Sequence, residues 1–164
     1  MNIYDMMDSW AASIQADTTI QTYCVTNFSN GLLVQIDDDQ ENPISSADAP
    51  FCIMIGYSGG DDSPVAEAKV QAARIVVGCT KANAHTPTVT TARTATTNGL
   101  RKFGIGNLAI DLLDLIIAEI KSVNLGTGHI LTETSYDLSG LLLFPLTCVG
   151  TTMIVREAKD LSTF

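Results

Sequence analysis

The segment NLAIDLLDLIIAEIKSV, residues 107–123, constrains the fold more than any other part of the sequence. Leu and Ile recur around most of the circumference of a helix built from it. The remaining positions form one narrow stripe: Asp111, Asp114, Ala118 and Lys121. We expect a helix capped by Asn107 and ended by Asn124 and Gly126. Such a helix must be buried on every side but the stripe, so other elements have to surround it.

The first residues of the chain also have helical spacing. In NIYDMMDSWAASIQAD, residues 2–17, Asn2 is a candidate N-cap, and acids lie in the first turns, as the helix dipole favours. The apolar side chains recur at helical intervals: Ile3, Met6, Met7, Trp10, Ala11 and Ile14. We therefore predict an amphipathic first helix.

Two strands are predicted directly after this helix. QTYCVTNF, residues 21–28, is rich in β-branched and aromatic residues, and LLVQI, residues 32–36, is apolar. Asn-Gly in the S-N-G sequence at 29–31 favours a tight turn. We expect a β-hairpin here.

Strand patterns occupy much of the remaining chain. FCIMIGY, residues 51–57, is predicted to be a buried strand after an acidic, Pro-bearing loop. VAEAKVQAARIVVGC is assigned mainly to a strand, although its Ala-rich first half suits a helix. GHILTETSY and LLLFPLTCVGTTMIVREA are predicted to form a final antiparallel hairpin, separated by a turn at DLSG. Pro145 marks an edge or a bulge in it.

This order of elements predicts the fold class. Helices fall outside regular β-α alternation, which favours α+β: a single antiparallel or mixed β-sheet with two main helices packed on one face. The chain of 164 residues fits one domain, 1–164, with its own core. A Thr-rich segment at about 80–106 is too long for an ordinary connection. It is expected to be an extended loop or arm, either functional or disordered in the free subunit.

The composition predicts a soluble protein without a metal or cofactor. Residues 1–17 carry three acids and no basic n-region, unlike a secretory signal. The four cysteines lie far apart: Cys24, Cys52, Cys79 and Cys148. Zinc-site spacing is absent, and each thiol lies in or beside an apolar segment, where we expect a small buried hydrophobe. A disulfide between two of them stays open.

Charge is segregated along the chain. The net charge is −9, and residues 1–68 hold eleven acids and no Lys or Arg. Residues 69–110 hold six Lys or Arg and no acid. The basic middle is expected to face an acidic surface, either in its own fold or on a neighbouring copy. The overall acidity argues against nucleic acid as the main partner.

The sequence GYSGG, residues 56–60, matches the G-x-S-x-G pattern of a serine hydrolase. Ser58 would be the nucleophile and His129 its base, with Asp111 or Asp114 before it in the chain. Two carboxylates and a proline follow at once, where the pattern needs a helix N-terminus for the oxyanion. A Gly-rich turn after a buried strand is therefore the favoured interpretation, with the hydrolase as the alternative.

Two other motifs are weak. Acids alternate in IDDDQEN as in a calcium loop, but Asn42 stands where the turn needs Gly, and no bidentate Glu follows. GIGNLA, residues 104–109, opens a helix in the manner of a dinucleotide-binding turn, but no apolar strand precedes it. We interpret the first as a solvated loop and the second as a glycine-rich turn that precedes a helix.

The whole layout resembles the tail terminator, or tail-completion, proteins of long-tailed bacteriophages. The resemblance spans most of the chain. It is carried by five segments: the helix around Trp10, APFCIMIGY, ARIVVGC, NLAIDLLDLIIAEIKSV and the final hairpin ending LTCVGTTMIVREA. The Thr-rich arm exceeds the basic layout of that family. Other head–tail connectors and minor tail proteins fit the pattern almost as well.

This resemblance implies a structural virion protein rather than an enzyme. Such proteins form a ring, usually hexameric, at the head-proximal end of the tail tube, where they stop polymerisation and offer a joining surface to the head. The implied partners are further copies of the chain, the tail tube protein and a head-completion or connector protein. DNA would pass through the ring without specific binding. The implied location is the virion tail, assembled in the host cytoplasm, with no membrane partner.

Closed rings use head-to-tail contacts between different patches of adjacent copies. Charge segregation supplies candidate residues for such a contact: Asp37, Asp38 and Asp39 opposite Arg93, Arg101 or Lys102. A third alternative is a small-molecule or protein-binding module in which the arm acts as a lid.

Overall fold

The structure, a computed structural model, describes residues 2–58, 70–126, 129–137, 142–143 and 146–157. The helices are α1 (Ile3–Ala16), α2 (Thr18–Phe28) and α3 (Ile105–Ser122). The strands are β1 (Leu33–Ile36), β2 (Phe51–Ser58), β3 (Val70–Cys79), β4 (Thr88–Thr91), β5 (Leu100–Lys102), β6 (His129–Asp137), β7 (Leu142–Leu143) and β8 (Leu146–Glu157).

Six strands form one mixed sheet in the order β1-β2-β3-β8-β6, with β7 beside β8. β1 runs parallel to β2, and the other pairs are antiparallel. β4 and β5 pair only with each other, as a separate two-stranded sheet. The predicted α+β class with a single main mixed sheet is confirmed.

The helices cover one face of the main sheet. α1 packs on β1, β2 and β3, α3 packs on β3 and β8, and α2 packs against the other two helices. The core between these layers is centred on fully buried side chains, including Trp10, Met54, Ile75, Leu112 and Ile116. None of the described helices is long and apolar enough to cross a membrane.

α1 follows the prediction. Asn2 is the N-cap, and it exchanges hydrogen bonds with Asp5: the Asn2 side chain accepts from the Asp5 N–H at 3.0 Å, and the Asp5 carboxylate accepts from the Asn2 N–H at 3.2 Å. This reciprocal pair satisfies two N–H groups that a helix start leaves unpaired. The predicted apolar positions are buried, except for half-buried Ala11.

The strand predicted over residues 21–28 is wrong, because this segment belongs to helix α2. Asp17 ends α1 and caps α2, since its carboxylate accepts the Ile20 N–H at 2.7 Å. Ile20, Cys24 and Phe28 then recur at intervals of four and are all buried. Burial of this helical stripe outweighs the β propensity of the Thr, Tyr and Val residues between them.

The predicted hairpin at 29–31 is therefore also wrong. Ser29 ends α2 in the left-handed conformation, φ 66°, and its N–H donates to the Val25 carbonyl at 3.0 Å. Strand β1 exists as predicted, but its partner is β2, in parallel register from Leu33 opposite Phe51. A parallel pair needs a long connection rather than a tight turn, and residues 37–50 supply it.

α3 has the predicted polar stripe but an earlier start. Gly104 occupies the cap position, and Asn107 lies inside the first turn, so Asn107 is not the N-cap. Ile105 is 4% exposed and anchors this earlier turn in the core. The residues of the stripe are exposed: Asp111, Asp114, Ala118 and Lys121. Half-buried Glu119 accepts a hydrogen bond from Ser13 of α1, which ties the two helices together.

The β-strand predictions in the second half are confirmed where the structure describes them. β3 is a strand to its end at Cys79, and β6 pairs with β8 in the predicted antiparallel hairpin. Pro145 and the turn after Asp137 lie outside the described residues. The prediction of two main helices on the sheet agrees with the structure, in which α1 and α3 pack on the strands and the unpredicted helix α2 packs against these two helices.

Candidate inter-subunit interface

The arm, residues 80–104, leaves the sheet at the end of β3 and returns at the start of α3. Its two ends meet at the base, where the Gly104 N–H donates to the Ala84 carbonyl at 3.2 Å, and Ala84 packs against the core. Between them, β4 and β5 form a ribbon that we call the arm ribbon, residues 88–102. Every residue of these two strands is exposed.

The arm ribbon separates its basic residues. Arg101 lies opposite Val89, and Lys102 lies opposite Thr88, with a bulge between Val89 and Thr91. Because residues paired across strands share a face and neighbours alternate, Arg101 and Lys102 are on opposite faces. A concavity of about 670 Å³ is lined by Val89, Thr91, Ala92, Arg93, Gly99 and Arg101. Two of the three predicted basic residues, Arg93 and Arg101, therefore share one site.

The arm also exposes apolar surface. Val89 is 56% exposed, Leu100 is 55% exposed, and Phe103 at the end of the ribbon is 50% exposed. Single exposed apolar residues are ordinary. Two within one narrow ribbon and a third directly after it, beside two guanidinium groups, are typical of a surface that another molecule covers.

The acidic loop, residues 37–48, follows edge strand β1. Asp37 has φ 63°, and its N–H donates to the Met54 carbonyl at 2.8 Å. Asp38 and Asp39 are exposed, and Glu41 to Ile44 lie beside Leu33 and Gln35 of β1. The loop thus folds back along the edge of the sheet.

Asp39 has a structural task inside this loop. Its carboxylate accepts hydrogen bonds from the Asn42 side chain at 3.2 Å and from the backbone N–H groups of Asn42 and Glu41 at 3.2 and 3.0 Å. The hydrogen bonds from Asn42 are the main reason that the pKa of Asp39 lies below its ordinary value. Among the described residues, no three or more His, Cys, Asp or Glu side chains are grouped so that they could hold a metal ion.

The structure does not bring the two predicted charge sets together within one subunit. Asp37, Asp38 and Asp39 lie at the β1 edge, whereas the arm leaves from the end of β3. Across the described part of the chain, neither Arg93, Arg101 nor Lys102 forms an ion pair with them. Both surfaces are thus available to a second molecule.

A groove between α2 and α3 is a feature that sequence reasoning missed. Its volume is about 810 Å³, and its lining residues are Thr18, Thr19, Thr22, Tyr23, Thr26, Asn27, Asp111, Asp114 and Leu115. Among these lining residues, Tyr23 is half-buried, and its hydroxyl donates to the Leu108 carbonyl at 3.1 Å. Burial, and then the negative charge of Asp111, raises the pKa of Tyr23 to about 12.

The signal that could have revealed this groove is the Asp-Thr-Thr sequence at 17–19. An Asp that precedes apolar residues recurring every four positions, here Ile20, Cys24 and Phe28, is typical of a helix start. With α2 predicted as a helix, its threonines at 18, 22 and 26 would have formed one exposed polar stripe facing another element.

The residues of the hydrolase alternative are far apart. Ser58 is the last residue of β2, opposite Gln71 of β3, and His129 is the first residue of β6. β3 and β8 lie between these strands, so the backbones are about 14 Å apart at 4.7–4.9 Å per strand. A nucleophile and its base must approach to hydrogen-bonding distance, and three strand spacings separate these two backbone positions. The residues after Ser58 up to 69 lie outside the described part.

The cysteines behave largely as predicted. All four are free thiols; Cys24, Cys52 and Cys79 are buried, and Cys148 is half-buried. Burial raises the pKa of Cys24 and of Cys52 to about 12, and it raises the pKa of Cys79 and Cys148 as well. Such thiols are poor nucleophiles at neutral pH, because they stay protonated.

A comparison with known protein families finds none that matches the chain, and a search of curated proteins also finds no match.

Proposed function

We propose that this protein is a structural subunit that assembles with copies of itself into a ring at the head-proximal end of a phage tail tube. There it terminates tube polymerisation and provides the surface that joins the tail to the head. The tail tube protein and a connector protein are the partners that this function needs. The resemblance in layout motivates the phage assignment, and the geometry of the arm motivates self-assembly.

The observation that carries the proposal is the arm ribbon. Both its faces and both its edges are uncovered by the described residues, yet it keeps a paired β structure. An isolated two-stranded ribbon is marginally stable in water. When such a ribbon docks on a neighbouring subunit, its apolar side chains become buried. The backbone N–H and C=O groups at its edges can then form hydrogen bonds with the neighbour.

The charge distribution suits a head-to-tail contact. Such an interface pairs two different patches, so one subunit must carry both. The arm ribbon is basic, the subunit as a whole has a net charge of −9, and the acidic loop lies on another part of the same subunit. Charge segregation in the sequence makes the acidic loop, with exposed Asp38 and half-buried Asp37, the first candidate for the opposite patch.

Excising the arm tests this proposal. Since Gly104 and Ala84 are hydrogen-bonded at the base, a short Gly-Ser linker can join His85 to Gly104 without stretching the chain. The deletion removes residues 86–103, and none of these residues belongs to the buried core. We expect the variant to keep its helical circular dichroism but to be monomeric where the full chain forms a ring.

Two readouts separate assembly from folding in this experiment. Light scattering gives the mass of each variant, and negative-stain electron microscopy shows whether a ring forms. Lys121→Glu, on the exposed stripe of α3, is a control that changes the net charge without touching the arm. A full chain that is monomeric with and without the tube protein would contradict the proposal, as would an arm-deleted chain that assembles normally.

A further inference from the structure

We infer that strand β5 of one subunit docks on the open edge of strand β1 of the next subunit and extends its main sheet. This inference rests on the proposed self-assembly and names the surface that receives the arm. The two subunits are joined by main-chain hydrogen bonds, and Arg101 of one copy lies beside the acidic loop of its neighbour.

The open edge of β1 is a row of main-chain groups that point away from the sheet. β1 is the terminal strand on its side of the sheet, and among the described strands it pairs only with β2. The N–H groups of Leu33 and Asp37 donate to carbonyls at β2, at 3.0 and 2.8 Å. Since successive residues of a strand direct these groups to opposite sides, Val34 and Ile36 direct theirs outwards. Elsewhere in the described part of the chain, no main-chain group bonds to them.

The conformation of this edge is fixed before a partner arrives. The side chains of Val34 and Ile36 pack against the core. The side chains of Leu33 and Gln35 therefore lie on the other face of the sheet, away from the helices. A strand that is held in place in this way loses little conformational entropy on binding. An extended segment can add to such an edge through main-chain hydrogen bonds, as in β-augmentation.

β5 is the strand of the arm ribbon that fits this edge. β4 pairs with one of its edges, and the described residues leave its other edge uncovered. All three residues of β5 are exposed. β5 carries Arg101 and Lys102, whereas β4 carries no charged residue. With three residues against the four of β1, the two strands are also matched in length.

A concavity of about 420 Å³ beside β1 supplies the site for the arginine. Its lining residues come from β1 and the acidic loop: Leu33, Gln35, Glu41, Asn42, Pro43, Ile44 and Asp48. Both carboxylate residues of this lining are exposed. Paired strands lie 4.7–4.9 Å apart, so a β5 residue on this face would lie next to Leu33 and Gln35. Arg101 in that place can bind a carboxylate of the loop through two parallel hydrogen bonds.

Charge explains why the contact is head-to-tail. Pairing two β1 edges would bring two acidic loops together, and pairing two β5 edges would bring Arg101 and Lys102 close to their own copies. Both arrangements place like charges side by side, which disfavours them. Docking β5 on β1 pairs opposite charges instead. The two patches differ, so each subunit donates one strand and receives another, as a ring requires.

Hydrogen exchange tests the inference without a substitution. The chain lacking residues 86–103 is the monomeric reference, and mass spectrometry with residue-level fragmentation follows individual amides. We expect exchange at Val34 and Ile36 to be about tenfold slower, or slower still, in the assembled full chain than in the reference. Leu33 and Asp37 are internal controls, because their amides are bonded within each subunit in both chains.

A proline substitution tests the same main-chain group. Val34→Pro removes the outward N–H, whereas Val34→Ala shortens the side chain and keeps that N–H. Because this N–H does not point towards β2, both variants should fold, which circular dichroism verifies. Val34→Ala should assemble like the unmodified chain. Val34→Pro should raise the dissociation constant about tenfold. If Val34→Pro does not fold, hydrogen exchange and charge reversal decide.

Charge reversal tests the contact between the arm and the acidic loop. Three double variants are compared by native mass spectrometry and light scattering: a loop variant with Asp38→Lys and Glu41→Lys, an arm variant with Arg93→Glu and Arg101→Glu, and a control with Asp8→Lys and Asp111→Lys. All six residues are exposed. The loop and arm variants should each raise the dissociation constant about tenfold or more at low salt. Combining their four substitutions in one chain should restore assembly, and the control should assemble like the unmodified chain.

The outcomes distinguish failure of this inference from failure of the proposed function. If the amides of Val34 and Ile36 exchange equally fast in the assembled chain and in the reference, the arm docks elsewhere and the inference is overturned. Equal assembly of Val34→Pro and Val34→Ala, or equal losses in the loop variant and the control, also overturn it. If the arm-deleted chain assembles normally, or the unmodified chain never assembles, the proposed function itself is overturned.

Discussion

Arg101 lies directly opposite Val89 in the arm ribbon, whereas its neighbour Lys102 lies opposite Thr88. Two basic residues that are adjacent in sequence therefore lie on opposite faces. Only Arg101 shares the concavity with Arg93. Lys102 can therefore serve as a control for Arg101, because the two residues carry the same charge but lie on different faces of the ribbon.

Reversing these two charges one at a time should have unequal effects. Arg101→Glu is expected to raise the dissociation constant of subunit association about tenfold to a hundredfold, and more at low salt, because exposed charges are screened by ions. Lys102→Glu makes the same change in net charge on the other face and should cost much less. Sedimentation velocity at low and high salt measures both. Equal losses for the two variants would show that only total charge matters.

A second prediction concerns Gly78, which lies opposite Phe51 in the register of β2 and β3. A Cβ atom at Gly78 would overlap the Phe51 ring, which is 3% exposed and has little room to move. Gly78→Ala should lower the free energy of unfolding by about 1–3 kcal/mol through overpacking. Urea unfolding measures this loss.

The matched control is Gly106→Ala in the first turn of α3. A Cβ atom there meets no other atom within 4 Å, so alanine should be neutral or should stabilise by up to about 1 kcal/mol through helix propensity. The prediction fails if the two substitutions shift the urea midpoint equally.

A third prediction tests Asp17, which ends α1 and caps α2. Asp17→Ala removes the acceptor of the Ile20 N–H and should cost about 1 kcal/mol of stability. Asp8→Ala, on the exposed side of α1, is the control and should stay within about 0.5 kcal/mol. A loss for Asp17→Ala no larger than for Asp8→Ala would mean that the carboxylate contributes nothing to this junction.

A fourth prediction follows from the buried thiol of Cys52. Its pKa rises from an ordinary value near 9 to about 12 on folding, because burial disfavours the thiolate. Above pH 9 the unfolded chain loses this proton and the folded chain keeps it, so stability falls as pH rises towards 12. The expected loss is about 1.4 kcal/mol per pH unit for this thiol.

Cys52→Ala should remove that contribution. The variant is less stable at neutral pH because it leaves a small cavity, but its stability should fall less steeply between pH 9 and 10.5. Unfolding in urea under reducing conditions at several pH values gives both slopes. Identical slopes would contradict the assignment, since Cys24 and Cys79 titrate in both chains.

The sequence predicts best where local chemistry and core packing agree. Asn2 and Asp5 mark the start of α1, and both the cap and the buried stripe are found. In α3 the polar stripe is right, but the start is misplaced because burial of Ile105 extends the helix past the better capping residue Asn107. At this helix start, burial of the Ile105 side chain outweighs the preference of Asn107 for the N-cap position.

The failures lie where propensity and packing disagree. Residues 21–28 favour strands by composition, yet the helical spacing of Cys24 and Phe28 with Ile20 decides the outcome. This error also hid the helix groove, since one of its walls is α2. The charge pattern predicted the basic arm. It did not predict that Val89 pairs with Arg101, because that pairing depends on the register of the two strands, and no short sequence motif specifies it.

Measuring the mass of the full chain in solution, with and without residues 86–103, shows whether the arm drives assembly of a ring. Light scattering at low and high salt, alone and with purified tail tube protein, is sufficient. We expect a closed ring of fixed copy number for the full chain and a folded monomer for the arm-deleted chain. A monomer under every condition, or the same assembly without the arm, would contradict it.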